Sequence, residues 1–151
     1  MEIYERNINS SVRKLNEKYI VTEASLLDLS HNMRVELKIN LETSVIEEAS
    51  AQILKAPFQV CNYTLENIKR IEGFKIERGI NKKLINALGK SDGCTHFYEL
   101  ALEAVRLSFN VMLGIRFNWK EWVSRTVNEE EFIKMAMPYL KNSCLPFKTD
   151  E

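Results

Sequence analysis

Five side chains in this sequence have the atom types that chemistry needs. Cys94 and His96 stand two apart in SDGCTHFYEL, directly after Gly93. Cys61 ends the segment PFQVC, and Asp28 and His31 lie in LDLSHN. Together they offer oxygen, nitrogen and sulfur donors, a set suited to zinc or iron. The chain has 2 histidines, and each falls within three residues of another potential ligand. A plainer account also fits each residue. A cysteine can be a small buried hydrophobe, a histidine a cap, and an aspartate before a tight turn the anchor of an Asx turn.

The chemistry at Cys94 and His96 depends on where the helix starts. If it opens near Gly93–Thr95, both side chains sit by unpaired backbone N–H groups. The positive end of the helix dipole favours a thiolate and disfavours an imidazolium. Thiolate and neutral imidazole are the forms a metal takes. Residues two apart on a regular helix point to nearly opposite sides. The pair can therefore share one ion only if Cys94 stands in the turn before the helix. Cys61 also sits at a helix opening, which makes it the expected partner of Cys94. Cys144, close to the C-terminus, is left out.

These residues must be held by elements legible in the pattern. Ile20, Thr22, Ala24, Leu26 and Asp28 alternate along Lys18–Ser30. Met33, Val35, Leu37 and Ile39 do so along Asn32–Leu41, a half-buried strand. Leu27–Asn32 is the turn between them, Glu42–Ser44 is a second turn, and Val45–Lys55 is a further strand. The first fifteen residues offer an edge strand. After the break at Ala56–Pro57 the pattern turns helical. Cys61–Glu72 carries Tyr63, Leu65, Ile68 and Ile71 and ends at Gly73, and Asn81–Leu88 ends at Gly89. From Thr95 to Leu113, Phe97, Leu100, Ala101, Ala104, Val105, Ser108, Val111 and Met112 recur at helical spacing. A last helix spans Glu129–Lys141, with an irregular, partly mobile tail after it. Strands first and helices after predict an α+β fold: an antiparallel sheet of three to four strands in the N-terminal half, packed against helices in the C-terminal half. No linker or repeat divides the chain, so residues 1–151 read as one domain.

Bulk properties exclude some partners. Lys plus Arg and Asp plus Glu are 21 each, so the formal charge is zero. That argues against nucleic acid, which calls for a basic excess. It also gives no anchor for an anionic membrane. No apolar run approaches a bilayer span, and the polar N-terminal stretch lacks the core of a secretory signal. A cytoplasmic protein with reduced thiols is expected; an odd count of 3 cysteines fits that better than a disulfide framework.

Three segments, LLDLSHNMRVELKI, KAPFQVCNYTLENIKRIEGF and GCTHFYELALEAV, carry a resemblance. From about Ile3 to Met112 the chain resembles a bacterial family called domain of unknown function 2889. Its members share the aspartate–histidine hairpin, the proline–cysteine segment and the Gly-Cys-Thr-His opening. The family label implies no activity. More distantly, the order of strands, cysteine-bearing helix opening and long final helix resembles the iron–sulfur scaffolds of the IscU and NifU N-terminal type and the related sulfur acceptor SufE. That resemblance implies a SufE/NifU-like fold. Asp28 would stand for the loop aspartate, Cys61 for the middle cysteine and Cys94 for the last. The scaffold's loop cysteine is missing, with His31 nearby, and the final histidine follows its cysteine at one remove. A single metal ion, or an inert relative of the fold, is thus as compatible with the resemblance as a cluster scaffold.

Three functions follow. The first is a metal-binding or iron–sulfur-assembly protein using Asp28, His31, Cys61, Cys94 and His96 with zinc, iron or a cluster. The second is a non-catalytic interaction module that binds a protein partner or itself through Phe117–Trp122 and the last helix. The third is a thiol enzyme or sulfur carrier with Cys94 or Cys61 as nucleophile. No nucleophile elbow, triad or CxxC pattern occurs.

Overall fold

The computed structural model describes residue 1 and residues 3–149, except for the side chain of Trp122. Its contacts divide the chain into two compact units, Met1–Phe109 and Asn110–Glu151.

The first unit is built on an antiparallel meander. Strands β1 (Arg6–Lys14), β2 (Tyr19–Asp28), β3 (Asn32–Asn40) and β4 (Ile46–Lys55) lie in the order β1-β2-β3-β4. Alternation decides the faces. Ile20, Thr22, Ala24, Leu26 and Asp28 of β2 and Met33, Val35, Leu37 and Ile39 of β3 are all buried. The opposite face is laced by ion pairs: Arg13 with Glu36 at 3.0 Å, Arg34 with Glu23 at 3.4 Å and Lys38 with Glu48 at 2.6 Å. One irregularity rescues the inward set of β4. Lys38 pairs with Glu48 but Ile39 pairs with Ile46, so Glu47 is extra. This bulge puts Ile46 and Ala49 on the same side although their numbers differ in parity.

Helices cover the buried face. A 3₁₀ helix spans Gln59–Ile71, followed by α1 (Ile80–Leu88) and α2 (Thr95–Arg116). The α-helical reading of Cys61–Glu72 is corrected here. With three residues per turn, positions three apart eclipse. Ile68 and Ile71 are buried and Leu65 half-buried, while Tyr63, off that line, is 85% exposed. On α2, Phe97, Leu100, Ala101, Ala104, Val105 and Ser108 are buried as expected from their spacing. One polar contact fixes helix against sheet. Ser108 Oγ donates to the Ala104 carbonyl at 2.6 Å, so Thr22 Oγ1 must donate to Ser108 Oγ, 2.6 Å away.

The second unit holds the end of α2, a short helix α3 (Trp119–Val123) and α4 (Glu129–Leu140). Asn128 caps α4, its side chain accepting from the Glu131 N–H at 2.9 Å. The tail is irregular as expected apart from a 3₁₀ turn at Leu145–Phe147, and contacts tie it back through Thr149. Phe147 is buried, Asn142 N–H donates to its carbonyl at 2.9 Å, and Thr149 N–H donates to Asn142 Oδ1 at 2.9 Å. Among the described residues no helix is long and apolar enough to cross a membrane.

Candidate functional site

The site begins at the β2–β3 turn. Asp28 is the last residue of β2 and points to the buried face. Its Oδ1 accepts from Ser30 N–H at 2.9 Å and His31 N–H at 2.8 Å, an Asx turn. The same oxygen lies 3.0 Å from His31 Nδ1. Oδ2 accepts from Arg6 Nε at 3.0 Å, and Arg6 is the residue directly opposite Asp28 in the β1–β2 register. Burial works against the charge of this carboxylate. The donors from Ser30, the His31 ring, Tyr4 and the His31 backbone outweigh it and hold the group well below the usual carboxylate range.

The facing wall is the opening of α2. Gly93 is there because of a close approach: a Cβ at this position would collide with the carbonyl oxygens of Leu88 and Gly89. The tight passage lets Cys94 N–H donate to Leu88 O at 2.7 Å. The helix starts at Thr95, so Cys94 does stand in the turn before it. The condition for Cys94 and His96 to face one point is met: Sγ lies 3.9 Å from His96 Nδ1. On its other edge, His96 Nε2 lies 3.4 Å from Arg6 Nη2. Arg6 Nη1 approaches Glu99 Oε2 at 3.5 Å. That oxygen is buried without a hydrogen bond and leans on the guanidinium charge alone. The His96 ring stacks on His31 with centroids 4.0 Å apart and a 41° tilt. Burial, then the neighbouring His31 and Arg6 charges, push the His96 imidazolium below its ordinary range.

Of the five expected site residues, four form one chain of contacts: Asp28 to His31, His31 to His96, His96 to Cys94. Cys61 is not among them. It sits near the start of the 3₁₀ helix, where its N–H donates to Phe58 O at 3.1 Å and its carbonyl accepts from Thr64 Oγ1 at 2.7 Å. The expectation that Cys61 partners Cys94 is corrected: the 3.9 Å contact makes that partner His96. Arg6 and Glu99 were missed. Arg6 was hidden in a weakly patterned edge strand. Glu99 was legible in principle, because it lies three residues after His96 on the same helical face.

The donors do not surround a common point. Among the described residues no group of three or more His, Cys, Asp or Glu side chains could hold a metal ion. The physical reason lies in the spacing. Two imidazoles on one tetrahedral zinc, with Zn–N bonds of about 2.0–2.1 Å, have ring centres roughly 5 Å apart. Here they stack at 4.0 Å. Both oxygens of Asp28 already accept hydrogen bonds.

The second unit has its own surface features. Phe117 packs edge-on against Tyr139 at 5.4 Å, and Arg116 lies 5.0 Å over the same ring. Trp119 is 49% exposed, whereas the side chain of Trp122 lies outside the described residues. A cleft of about 600 Å³ is lined by Val123, Arg125, Val127, Phe132 and Phe147 among others.

The chain is thus an α+β protein whose polar site joins a sheet-end turn to the mouth of a long helix. A family model described as "Protein of unknown function (DUF2889)" matches residues 6–110, and the chain belongs to that family. No curated protein and no solved structure matches it, so the likeness to iron–sulfur scaffolds gains no support. The matched stretch contains Arg6, Asp28, His31, Cys94, His96 and Glu99, and it ends one residue beyond the first compact unit.

Proposed function

We propose that this protein works through a thiol, with Cys94 Sγ as the reacting atom. The observation that carries this reading is the 3.9 Å approach of Sγ to His96 Nδ1, made possible because Cys94 precedes the helix. Cys94 immediately precedes the first turn of a 22-residue helix. Cys94 is half-buried. His31, held by Asp28, backs the His96 ring and keeps it in place. An electrophilic carbon or sulfur is the substrate class this atom would attack.

The test is alkylation by iodoacetamide, read site by site by mass spectrometry. Cys94 should react about tenfold faster than the exposed Cys144 near pH 7. A Cys94 slower than Cys144 sinks the reading. Metal content of reduced, anaerobically prepared protein is measured in parallel. Stoichiometric zinc or iron that is lost in Cys94→Ser would return the metal-centre reading, with side chains rearranged from the positions seen here.

A second reading is favoured by the half-exposed Trp119. Here the C-terminal unit is an interaction module that binds a protein partner or another copy of the chain. Sedimentation of wild type and Trp119→Ser tests the self-association branch. A monomer in both, at about 100 µM, where a contact worth about 5.5 kcal/mol would half-assemble, removes that branch.

A further inference from the structure

We infer that Arg6 sets the tautomer of His96, placing the ring proton on Nδ1, where it faces Cys94 Sγ. In its consequence for the thiol, this rests on the reading of Cys94 as the reacting atom; the tautomer itself does not.

A guanidinium has donors and no acceptor. Arg6 Nη2 lies 3.4 Å from His96 Nε2, so Nε2 must present its lone pair. The neutral ring has one proton, which then resides on Nδ1. In the other tautomer an N–H would point at another N–H beside a full positive charge. Arg6 is itself held on separate nitrogens: Nε by Asp28 at 3.0 Å and Nη1 by Glu99 at 3.5 Å. Those two contacts aim Nη2 at the ring. Lysine, with one nitrogen, cannot hold three points of a plane. Arg6 is therefore a positioning residue, set by register on β1 opposite Asp28.

The consequence is a division of labour at the sulfur. An Nδ1–H is a donor, so His96 stabilises the thiolate and does not act as its base. The proton of Cys94 leaves to solvent or to the incoming group. The carboxylates of Asp28 and Glu99 stay committed to Arg6, and His31 Nδ1 stays committed to Asp28.

The experiment reads the two nitrogens directly. In uniformly ¹⁵N-labelled full chain at about pH 8, above the ordinary histidine range, long-range ¹H–¹⁵N correlations distinguish a pyrrole-like from a pyridine-like nitrogen. Loss of signals in His96→Asn assigns the ring. The expected result is a pyrrole-like Nδ1 and a pyridine-like Nε2 for His96. A pyrrole-like Nε2 in the wild type overturns the inference, and this outcome needs no variant to fold. In Arg6→Met the ring should revert to the Nε2–H form, with Cys94 alkylation slowed about fivefold, the worth of one modest hydrogen bond. An unchanged tautomer in folded Arg6→Met also overturns it. Failure of the thiol reading looks different: an Nδ1–H ring beside an unreactive Cys94.

Discussion

The imidazoles of His31 and His96 stack with centroids 4.0 Å apart, yet they come from opposite walls of the site. One is fixed by a turn between strands, the other by the first turn of α2. Like charges this close disfavour one another, and after burial the neighbouring His31 charge is the next cause that holds the His96 imidazolium below its ordinary range. Acid is the natural probe of such a contact.

Stability should fall with acid in two stages. The unfolded chain protonates His96 near its ordinary value of 6.5, while the folded chain resists. The unfolded state then binds more protons, and stability drops as pH falls from about 7 through 6.5 and below, until the folded ring also protonates. Asp28 has an ordinary value of 3.8 and a lowered one in the fold, so a second loss sets in below about pH 5. Urea midpoints measured across this range should show both. His96→Gln should flatten the upper stage and Asp28→Asn the lower. A single stage that survives His96→Gln contradicts the assignment.

Gly93→Ala tests the close approach beneath the site. Its Cβ would collide with the Leu88 and Gly89 carbonyls, and the turn that carries Cys94 must open. A loss of about 2–3 kcal/mol is expected, with Cys94 alkylation falling toward the rate of Cys144. Denaturation and site-resolved alkylation check both parts.

Thr22 and Ser108 form a buried hydroxyl pair between β2 and α2. Ser108→Ala should cost about 1–3 kcal/mol, because it strands the Thr22 hydroxyl away from water. Adding Thr22→Val should recover part of that loss. The double-mutant cycle from urea titrations would show a coupling of at least about 0.5 kcal/mol; additivity would mean the pair is not formed.

The 3₁₀ helix makes a sharp distinction. Ile71→Ala should cost about 2–5 kcal/mol by cavity formation, since Ile71 is fully buried. Tyr63→Ala should stay within about 0.5 kcal/mol. A large loss at Tyr63 would mean that the segment winds as an α-helix in solution.

The sheet and the main helix were legible because their periods are clean: two along Met33–Ile39, and the helical stripe from Phe97 to Ser108. The segment Cys61–Glu72 misled because a spacing of three satisfies α and 3₁₀ patterns alike, and only the exposure of Tyr63 separates them. The division between the units falls within the sequence of α2, where no linker composition marks it. Within the site, Asp28, His31, Cys94 and His96 were found by atom type. Their arrangement was not, because it depends on β1 register. Nothing in RNINSSVRK announces that Arg6 lands opposite Asp28.

That placement ties the site to the sheet's outer strand. Arg6 and His96 are separated by 90 positions in the chain, and Arg6 rides on a rim strand that, among the described residues, is bonded along one edge. Strands at a rim fray before those inside. The sulfur and its imidazole are neighbours in sequence, whereas the guanidinium beside the ring is brought to it by an outer strand of the sheet. Loosening of one outer strand, with the core intact, would therefore return His96 to its free tautomer and convert the residue beside Cys94 from a donor into a base.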